Sequence, residues 1–398
     1  MSKLNIGIIG GGIVGLALAY KLQLNNAKSK IIVFEKENKV GSHQSGRNSG
    51  VLHCGLAYKT GSLKAKLAKS GIEQMTDFCV KHQIPHDICG KIVVASEEIQ
   101  IKHLDKVAEM GKKNGLLNLK FLNKSEIKIR EPFVLAKKAL LVPQEGIVDF
   151  KAVMYKLKQL VEDNGGEVKL STNIKSIVNK NNLEIVSDEI NQWTFDLVIN
   201  CTGLHSDKNY NKFTKRPRPL RIIPFRGEYM MLKPEAKKLV NHLVYPAPDP
   251  KFPFLGVHFT RLINGERELG PNAVLAFKRE GYKNTDISIK DLIDTLSYKG
   301  FVKFISKNLK FCLNEFSSSI FLESFIKKAQ ILIPEINSNM VVKGTAGVRA
   351  QAMNDSGELL MDFNIVKEKQ QIHVLNAPSP GATASLAIAD YIVENYIN

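Results

Sequence analysis

The sequence predicts an α/β (α+β two-domain) chain. A mainly parallel nucleotide-type sheet is assembled from separated stretches, and a domain built on an antiparallel sheet is inserted between them. Three observations support this. A strand–glycine turn–helix–strand–acid unit lies at residues 5–35. Glycine-bearing turns recur after the apolar runs near residues 200 and 375. The stretches between carry the alternation of strands that enter a different sheet.

The first unit is the most specific. Asn5–Ile9 reads as a short buried strand, Gly10-Gly11-Gly12-Ile13-Val14-Gly15 follows at once, Leu16–Leu24 is helical, and Ile31–Phe34 is a second strand closed by Glu35. This is a full G-x-G-x-x-G fingerprint in its Rossmann-like setting. Gly10 permits the tight turn, Gly12 lets a pyrophosphate approach the backbone, and Gly15 lets helix and strand pack closely. The helix start presents the N–H groups of Ile13 and Val14 to an anion. Glu35, some 20 residues on, suits ribose hydroxyls, and Lys36 follows it. A glycine-rich turn in an ordinary α/β protein leaves the acid unexplained.

Composition sets the outer bounds. With 398 residues, 44% hydrophobic and 24% charged, the chain is of ordinary globular type and long enough for a large core. No apolar run approaches the roughly 20 residues of a bilayer span. The first strand is interrupted by glycines with no cleavage site after it, so no signal peptide is expected. Five scattered cysteines fit reduced thiols better than a disulfide framework, and no metal site is expected. The net charge of +17 follows from abundant lysine. No basic stripe interleaved with aromatics marks nucleic acid as a partner, although such charge favours anionic lipid and dicarboxylates.

After Glu35, residues 41–53 form a long polar, glycine-rich loop where an NAD domain would soon start its third strand. A helix from about Gly61 to His82, a strand Ile92–Ala95 and a helix Ile99–Asn114 follow, and Glu131-Pro132 marks a break. Phe150–Asn164 is a helix ended by Gly165-Gly166. Short strands then run through Val168–Leu170, Ile174–Val178, Leu183–Val186 and Trp193–Phe195, before a buried strand reaches Cys201-Thr202-Gly203. Arg221–Lys233, Leu255–Arg261 and Leu269–Ala276 read as strands of the second sheet, and Ile287–Ile336 as helical. Strands Asn364–Val366 and Ile372–Leu375, a Pro-Ser-Pro-Gly-Ala-Thr loop and a helix from Ser385 to about Tyr396 close the chain. The expected division gives 1–90, 146–215 and 341–398 to the cofactor domain and 91–145 and 216–340 to a substrate-binding cap domain.

The fingerprint, the Val198–Gly203 turn and Gly381-Ala382-Thr383 resemble the D-amino-acid oxidase superfamily of flavoproteins. Within it, the chain resembles the L-2-hydroxyglutarate oxidase/dehydrogenase family. That likeness is carried by His43–His53 with Gly61–Ala65, by Pro224–Tyr229, and by Tyr245–Pro250 with Phe254–His258. It continues in Gly270–Tyr282, Ala346–Gln351 and Asn376–Pro380. Two departures are Cys54 in place of a small inert residue and Arg47 in place of a histidine. The resemblance implies a Rossmann-like FAD-binding domain and non-covalent FAD. The reaction it implies is oxidation of L-2-hydroxyglutarate to 2-oxoglutarate, with hydride passing from C2 to flavin N5 and electrons going on to quinone or oxygen. Two extra glycine-bearing turns, which an NAD enzyme does not need, agree with a longer cofactor.

Such a reaction asks for a carboxylate clamp, a base and a cap that excludes water. Arg349, in Gly-Val-Arg, resembles the carboxylate-binding arginine of amino-acid oxidases, and its planar fork suits a carboxylate. His53, ending the glycine-rich loop, and His258, on a strand of the cap, are the candidate bases; His258 is preferred, with His53 orienting substrate or flavin. Lys278 and Arg279, with Arg226 and Tyr245 behind them, are candidates for the second carboxylate, while Arg226 also suits a hinge. Gln44, Ser45, Asn48, Ser49, Gly50 and Val51 are expected along the flavin ring and ribityl chain. Thr202, Gly203, Gly381, Ala382 and Thr383 are expected to close over the diphosphate or pyrimidine edge. The phenylalanine-rich stretch 301–325 carries Lys303, Lys307, Lys310, Lys327 and Lys328. It reads either as helices packed on their own domain or as a basic amphipathic surface delivering electrons to a membrane quinone. The expected location is the cytoplasm, with a peripheral place on the inner face of the cell membrane as the second option; oligomeric state has no signal. Competing readings are a flavin amine oxidase, a non-catalytic FAD-binding protein and an NAD-dependent dehydrogenase.

Overall fold

Residues 5–9 and 30–34 are strands because their Ile, Val and Phe side chains are buried on both faces, the pattern of a covered parallel sheet. The computed structural model describes residues 3–248 and 256–397. Asn5–Ile9 pairs in parallel with Lys30–Phe34 on one side and Leu197–Asn200 on the other. The sheet has six strands, in the order 364–368, 371–376, 197–200, 5–9, 30–34, 167–169. Its pieces come from the two ends and the middle of the chain. Helix Ile13–Asn25 packs on one face between Phe150–Asp163 and Ser385–Ile392. On the other face lie the antiparallel meander 176–195 and helix Ser206–Thr214, sharing a core of Ile9, Phe34, Val186, Phe195 and Phe213.

Gly15 is required by packing, since a Cβ there would collide with the carbonyl oxygen of Gly10. Gly10 itself has φ +113°, in the left-handed half of the map. The flanking helices are capped locally: Ser62 accepts from Ala65 N–H at the start of Leu63–Lys81, and Asp149 from Lys151 and Ala152 N–H.

The second sheet has nine strands. Its path runs 274–275, 221–232, 267–270, 258–261, 243–246, 91–95, 138–142, 120–122, and Val341–Met353 pairs along Arg221–Leu232. The expected domain boundary at 341 is corrected by this pairing, because the long strand 341–353 belongs to the second sheet and return to the first comes only at Asn364. The strand expected over Leu269–Ala276 is broken at Pro271 and Asn272 into Arg267–Gly270 and Val274–Leu275. That expected over Leu255–Arg261 is seen as His258–Arg261; Leu255, with Asp249, Pro250 and Phe254 of the resemblance blocks, lies outside the described residues. The helical stretch resolves into Ile289–Leu296, Lys299–Ile320 (bent at Asn308) and Leu322–Gln330. All five cysteines are free thiols.

Candidate active site

A cavity of about 590 Å3 lies where the carboxyl ends of the parallel strands meet the second sheet. Open α/β sheets place ligands at that edge. Helix Ile13–Asn25 starts on it with Gly12 as N-cap, no side-chain cap bond and no acid in its first turn, so its positive end is left for an external anion. Ile13 N–H donates to Ser45 Oγ at 3.0 Å. Gly12, Ile13 and Val14 line the cavity at one end; Gln44, Ser45, Asn48, Ser49 and Val51 continue along it; Gly203 and Gly381, Ala382 and Thr383 face it from two further turns. Thr383 Oγ1 ties these turns together, donating to Val51 O and accepting from His53 N–H, each at 3.3 Å.

Six expected cofactor residues do not line the cavity, and five of them support its wall from behind. Gly10 and Gly15 shape the turn. Gly50 (φ +68°) turns the loop, and Thr202 Oγ1 donates to Asn200 Oδ1 at 2.6 Å. Glu35 sits at the end of its strand, where its two oxygens accept Gly11 N–H at 2.8 Å and Glu37 N–H at 2.9 Å. Lys36 is corrected: its Nζ bonds Glu37 at 2.8 Å and Glu280 at 2.7 Å and does not reach the cavity.

The cavity also offers unmet hydrogen-bonding groups. Gln351 Nε2 and Asn376 Oδ1 are buried without a partner among the described residues, and both residues line it. An open donor and an open acceptor suit the polar edge of a heterocycle, and the positive helix start, with no acid in its first turn, suits a diphosphate. These residues fit FAD.

Beyond the loop, two histidines converge. His258 is buried and stacked on Tyr245, ring centroids 3.9 Å apart. Its Nδ1–H donates to Gly256 O at 2.8 Å, which leaves the lone pair on Nε2. Burial pushes its pKa down to about 3, and His53, Arg349 and Lys91 push the same way. His53 meets Glu145 Oε2 through Nδ1 at 3.3 Å and presents its ring to Tyr245 at 6.3 Å. Arg349 projects from strand 341–353 opposite Phe225 and donates to Asn272 O at 3.2 Å. All four line the cavity.

Three expected substrate cations do not. Arg279 is buried and held by Asp207, Asp294 and Leu204 O, a network that joins helix 206–214 to helix 289–296. Arg226 is buried against Glu228 (3.1 Å), Lys283 O (3.1 Å) and Asn284. Lys278 is exposed on the loop beside them. In their place the structure brings in residues the sequence did not single out. Lys91 Nζ pairs with Glu145 Oε2 at 2.5 Å, and both are buried in the cavity wall. Burial alone would raise the pKa of Glu145, but Lys91 and His53 beside it hold it well below the usual carboxylate range. Tyr229 and Tyr58 line the cavity as well, bonded to Ser49 and Ser379. Lys91 opens an apolar strand and Glu145 follows a turn, positions that read as solvated in sequence; their meeting depends on the antiparallel pairing of 91–95 with 138–142, which sets Lys91 opposite Val142 and lets Gly90 N–H donate to Glu145 O at 2.8 Å.

The nucleotide-type sheet, a cavity fitted to a flavin and a histidine–arginine cluster at its far end define a flavin-dependent oxidoreductase. The chain belongs to the FAD dependent oxidoreductase (DAO) family, whose model matches residues 5–395, and its cofactor is FAD. Among its relatives is the L-2-hydroxyglutarate dehydrogenase of Indibacter alkaliphilus, 45% identical over 97% of each chain. The mitochondrial L-2-hydroxyglutarate dehydrogenases of Caenorhabditis elegans and Homo sapiens are each 40% identical, covering 100% and 99% of this chain and 94% and 88% of theirs. The fold is shared with L-alpha-glycerophosphate oxidase from Mycoplasma pneumoniae (TM-score 0.78, 20% identity, 99% and 94% coverage). It is shared also with glycine oxidase from Geobacillus kaustophilus (0.72, 16%, 99% and 94%).

Proposed function

We propose that the protein oxidises L-2-hydroxyglutarate to 2-oxoglutarate at the His53–His258–Arg349 end of the cavity and delivers the electrons at a membrane surface. The observation that carries the chemistry is the convergence of a neutral imidazole and a guanidinium on the cavity fitted to FAD, in a chain 40–45% identical to L-2-hydroxyglutarate dehydrogenases over almost all its length. When bound, FAD supplies the acceptor for the hydride that leaves C2. Arg349 holds the C1 carboxylate and so fixes which face of C2 is presented. His258 Nε2 takes the hydroxyl proton as the carbonyl forms; its other nitrogen is already committed to Gly256 O, which fixes the tautomer. His53, braced by Glu145, orients the hydroxyl. Tyr245 and Tyr229 close the site against water.

No helix among the described residues is long and apolar enough to cross a membrane. The surface route rests on helices 289–296 and 299–320. Ile289, Ile293 and Leu296 form one outward stripe, and Val302, Leu309, Leu313, Phe316 and Ile320 another; Ile289 is 73% exposed and Leu313 59%. Lys303, Lys307 and Lys310 run alongside at i, i+4, i+7, and all three are exposed. An apolar stripe edged by lysine is complementary to an anionic bilayer, and the net charge of +17 adds long-range attraction.

The test is anaerobic mixing of the FAD-loaded protein with each enantiomer. Bleaching of the flavin by L- but not D-2-hydroxyglutarate, and by neither glutamate nor sarcosine, is expected. Bleaching by an amino acid in place of the hydroxy acid would overturn the substrate.

A further inference from the structure

Lys91 is an ammonium buried with donors to spare. Its Nζ has one acceptor among the described residues, Glu145 Oε2 at 2.5 Å, and lies 4.9 Å from the centre of the Tyr245 ring. An ammonium has three N–H groups. Two of them therefore have no acceptor in the protein described, although the residue is buried and lines the cavity. A buried ion pair is a weak device for stability, because desolvation offsets most of its attraction, and an incompletely bonded one is weaker still.

Glu145 is the more fully engaged partner. Oε2 meets His53 Nδ1 as well as Lys91, while Oε1 accepts from Cys54 N–H and faces its thiol, each at 3.3 Å. The carboxylate is thus pinned from both sides, and it pins the ammonium in turn. Of the cations that line the cavity, Arg349 and Lys91 are the two that bear on His258. Lys64 lies instead over the Tyr58 ring at 4.4 Å, and Arg47 over the Tyr282 ring at 3.8 Å with its Nε donating to Ser42 O. A diacid needs two cations around one reacting carbon, and Lys278, Arg279 and Arg226 are elsewhere.

We propose that Lys91 binds the second carboxylate of the substrate, and that Glu145 is a positioning residue that holds the ammonium against the cavity. This rests on the reading of the substrate as a 2-hydroxy diacid. Arg349 and Lys91 with Glu145 leave the site one positive charge before substrate enters; the dianion is met by two full cations and by two unused N–H donors. Selectivity for a dicarboxylate over a monocarboxylate of similar length then resides in Lys91.

The experiment uses FAD-loaded wild type, Lys91→Met, Lys91→Arg and Glu145→Gln. Binding of the unreactive probes glutarate and butyrate is followed by calorimetry, and turnover of L-2-hydroxyglutarate and L-2-hydroxybutyrate by anaerobic flavin reduction. Lys91→Met is expected to weaken glutarate binding by about 10- to 100-fold, the loss of a charge-assisted hydrogen-bonded pair, and to leave butyrate within about twofold. Lys91→Arg keeps the charge and should keep the glutarate preference. Glu145→Gln should weaken glutarate binding while leaving butyrate within about twofold; because Glu145 also braces His53, its kcat falls as well, and the glutarate-to-butyrate ratio is the quantity that reports on Lys91. Equal weakening of both probes by Lys91→Met, or none, would overturn the proposal, as would loss of preference in Lys91→Arg at full flavin content. If wild type itself shows no preference for glutarate and no reduction by L-2-hydroxyglutarate, the substrate reading has failed rather than the role of Lys91.

Discussion

The imidazole of His258 is held neutral by its surroundings, and this sets a pH dependence. A histidine can act as base only when unprotonated. Burial lowers its pKa to about 3, so between about pH 5 and 9 it stays almost wholly in the active form. As the free enzyme's base, it should give kcat/KM for L-2-hydroxyglutarate no acid limb in that window. His258→Asn should lower kcat by about 10²- to 10⁴-fold with flavin still bound. Near-full kcat in His258→Asn together with a large loss in His53→Asn at full flavin content would move the base to His53. The residues named here were legible because each sits in a recognisable stretch: His53 at the end of the glycine-rich loop, His258 on an expected strand of the cap, Arg349 in Gly-Val-Arg. Arg279 misled for a physical reason. A loop arginine reads as available, yet Asp207 lies 72 residues away in sequence and claims it. Lys91 and Glu145 were silent for the converse reason, since a lone charge at a strand start or turn carries no sign of burial.

Among the elements, helix 299–320 shows how one sequence can serve two surfaces. Phe301 and Phe304 point inward onto Ile223, Phe225 and Met353, as helical packing on the same domain requires. Val302, Leu309, Leu313, Phe316 and Ile320 point outward on the other face, unlike the polar outer face of an ordinary surface helix. The packing reading of the phenylalanine-rich stretch therefore holds for its inner face, and membrane contact of the outer face stands as proposed. Replacing Leu313 and Phe316 together by Glu should abolish co-sedimentation with phosphatidylglycerol–phosphatidylcholine vesicles and leave reduction of a soluble dye by L-2-hydroxyglutarate unchanged. Unaltered vesicle binding would remove the stripe from membrane contact. Strands were read well where alternation was unbroken, as at 221–232. They were read poorly where a proline intervened at 271, and helix 206–214 was missed because it offers few apolar residues.

At the scale of the molecule, the two sheets were foreseeable from the distribution of glycine-bearing turns, but their boundary was not. The expected cofactor domain includes residues 341–353, yet that strand is bonded along its length to 221–232, and only pairing could reveal that. The cofactor sheet is also incomplete without 364–376, whose strand 371–376 flanks 197–200. A chain ended after Met353 should therefore retain no FAD when isolated from cofactor-replete cells, as measured by absorbance; flavin at normal stoichiometry would show that the first four strands suffice.

That arrangement has a bearing on how the protein comes into being. The glycine fingerprint leaves the ribosome more than three hundred residues before the strand and turn that enclose the same ligand. Sheets joined across such distances form slowly, because the long loop must close before its contacts stabilise it. The apolar stripes of residues 289–320 are synthesised in that interval, while the first sheet still lacks a neighbour. The nascent chain thus displays these apolar stripes before the segments that enclose the flavin have been made.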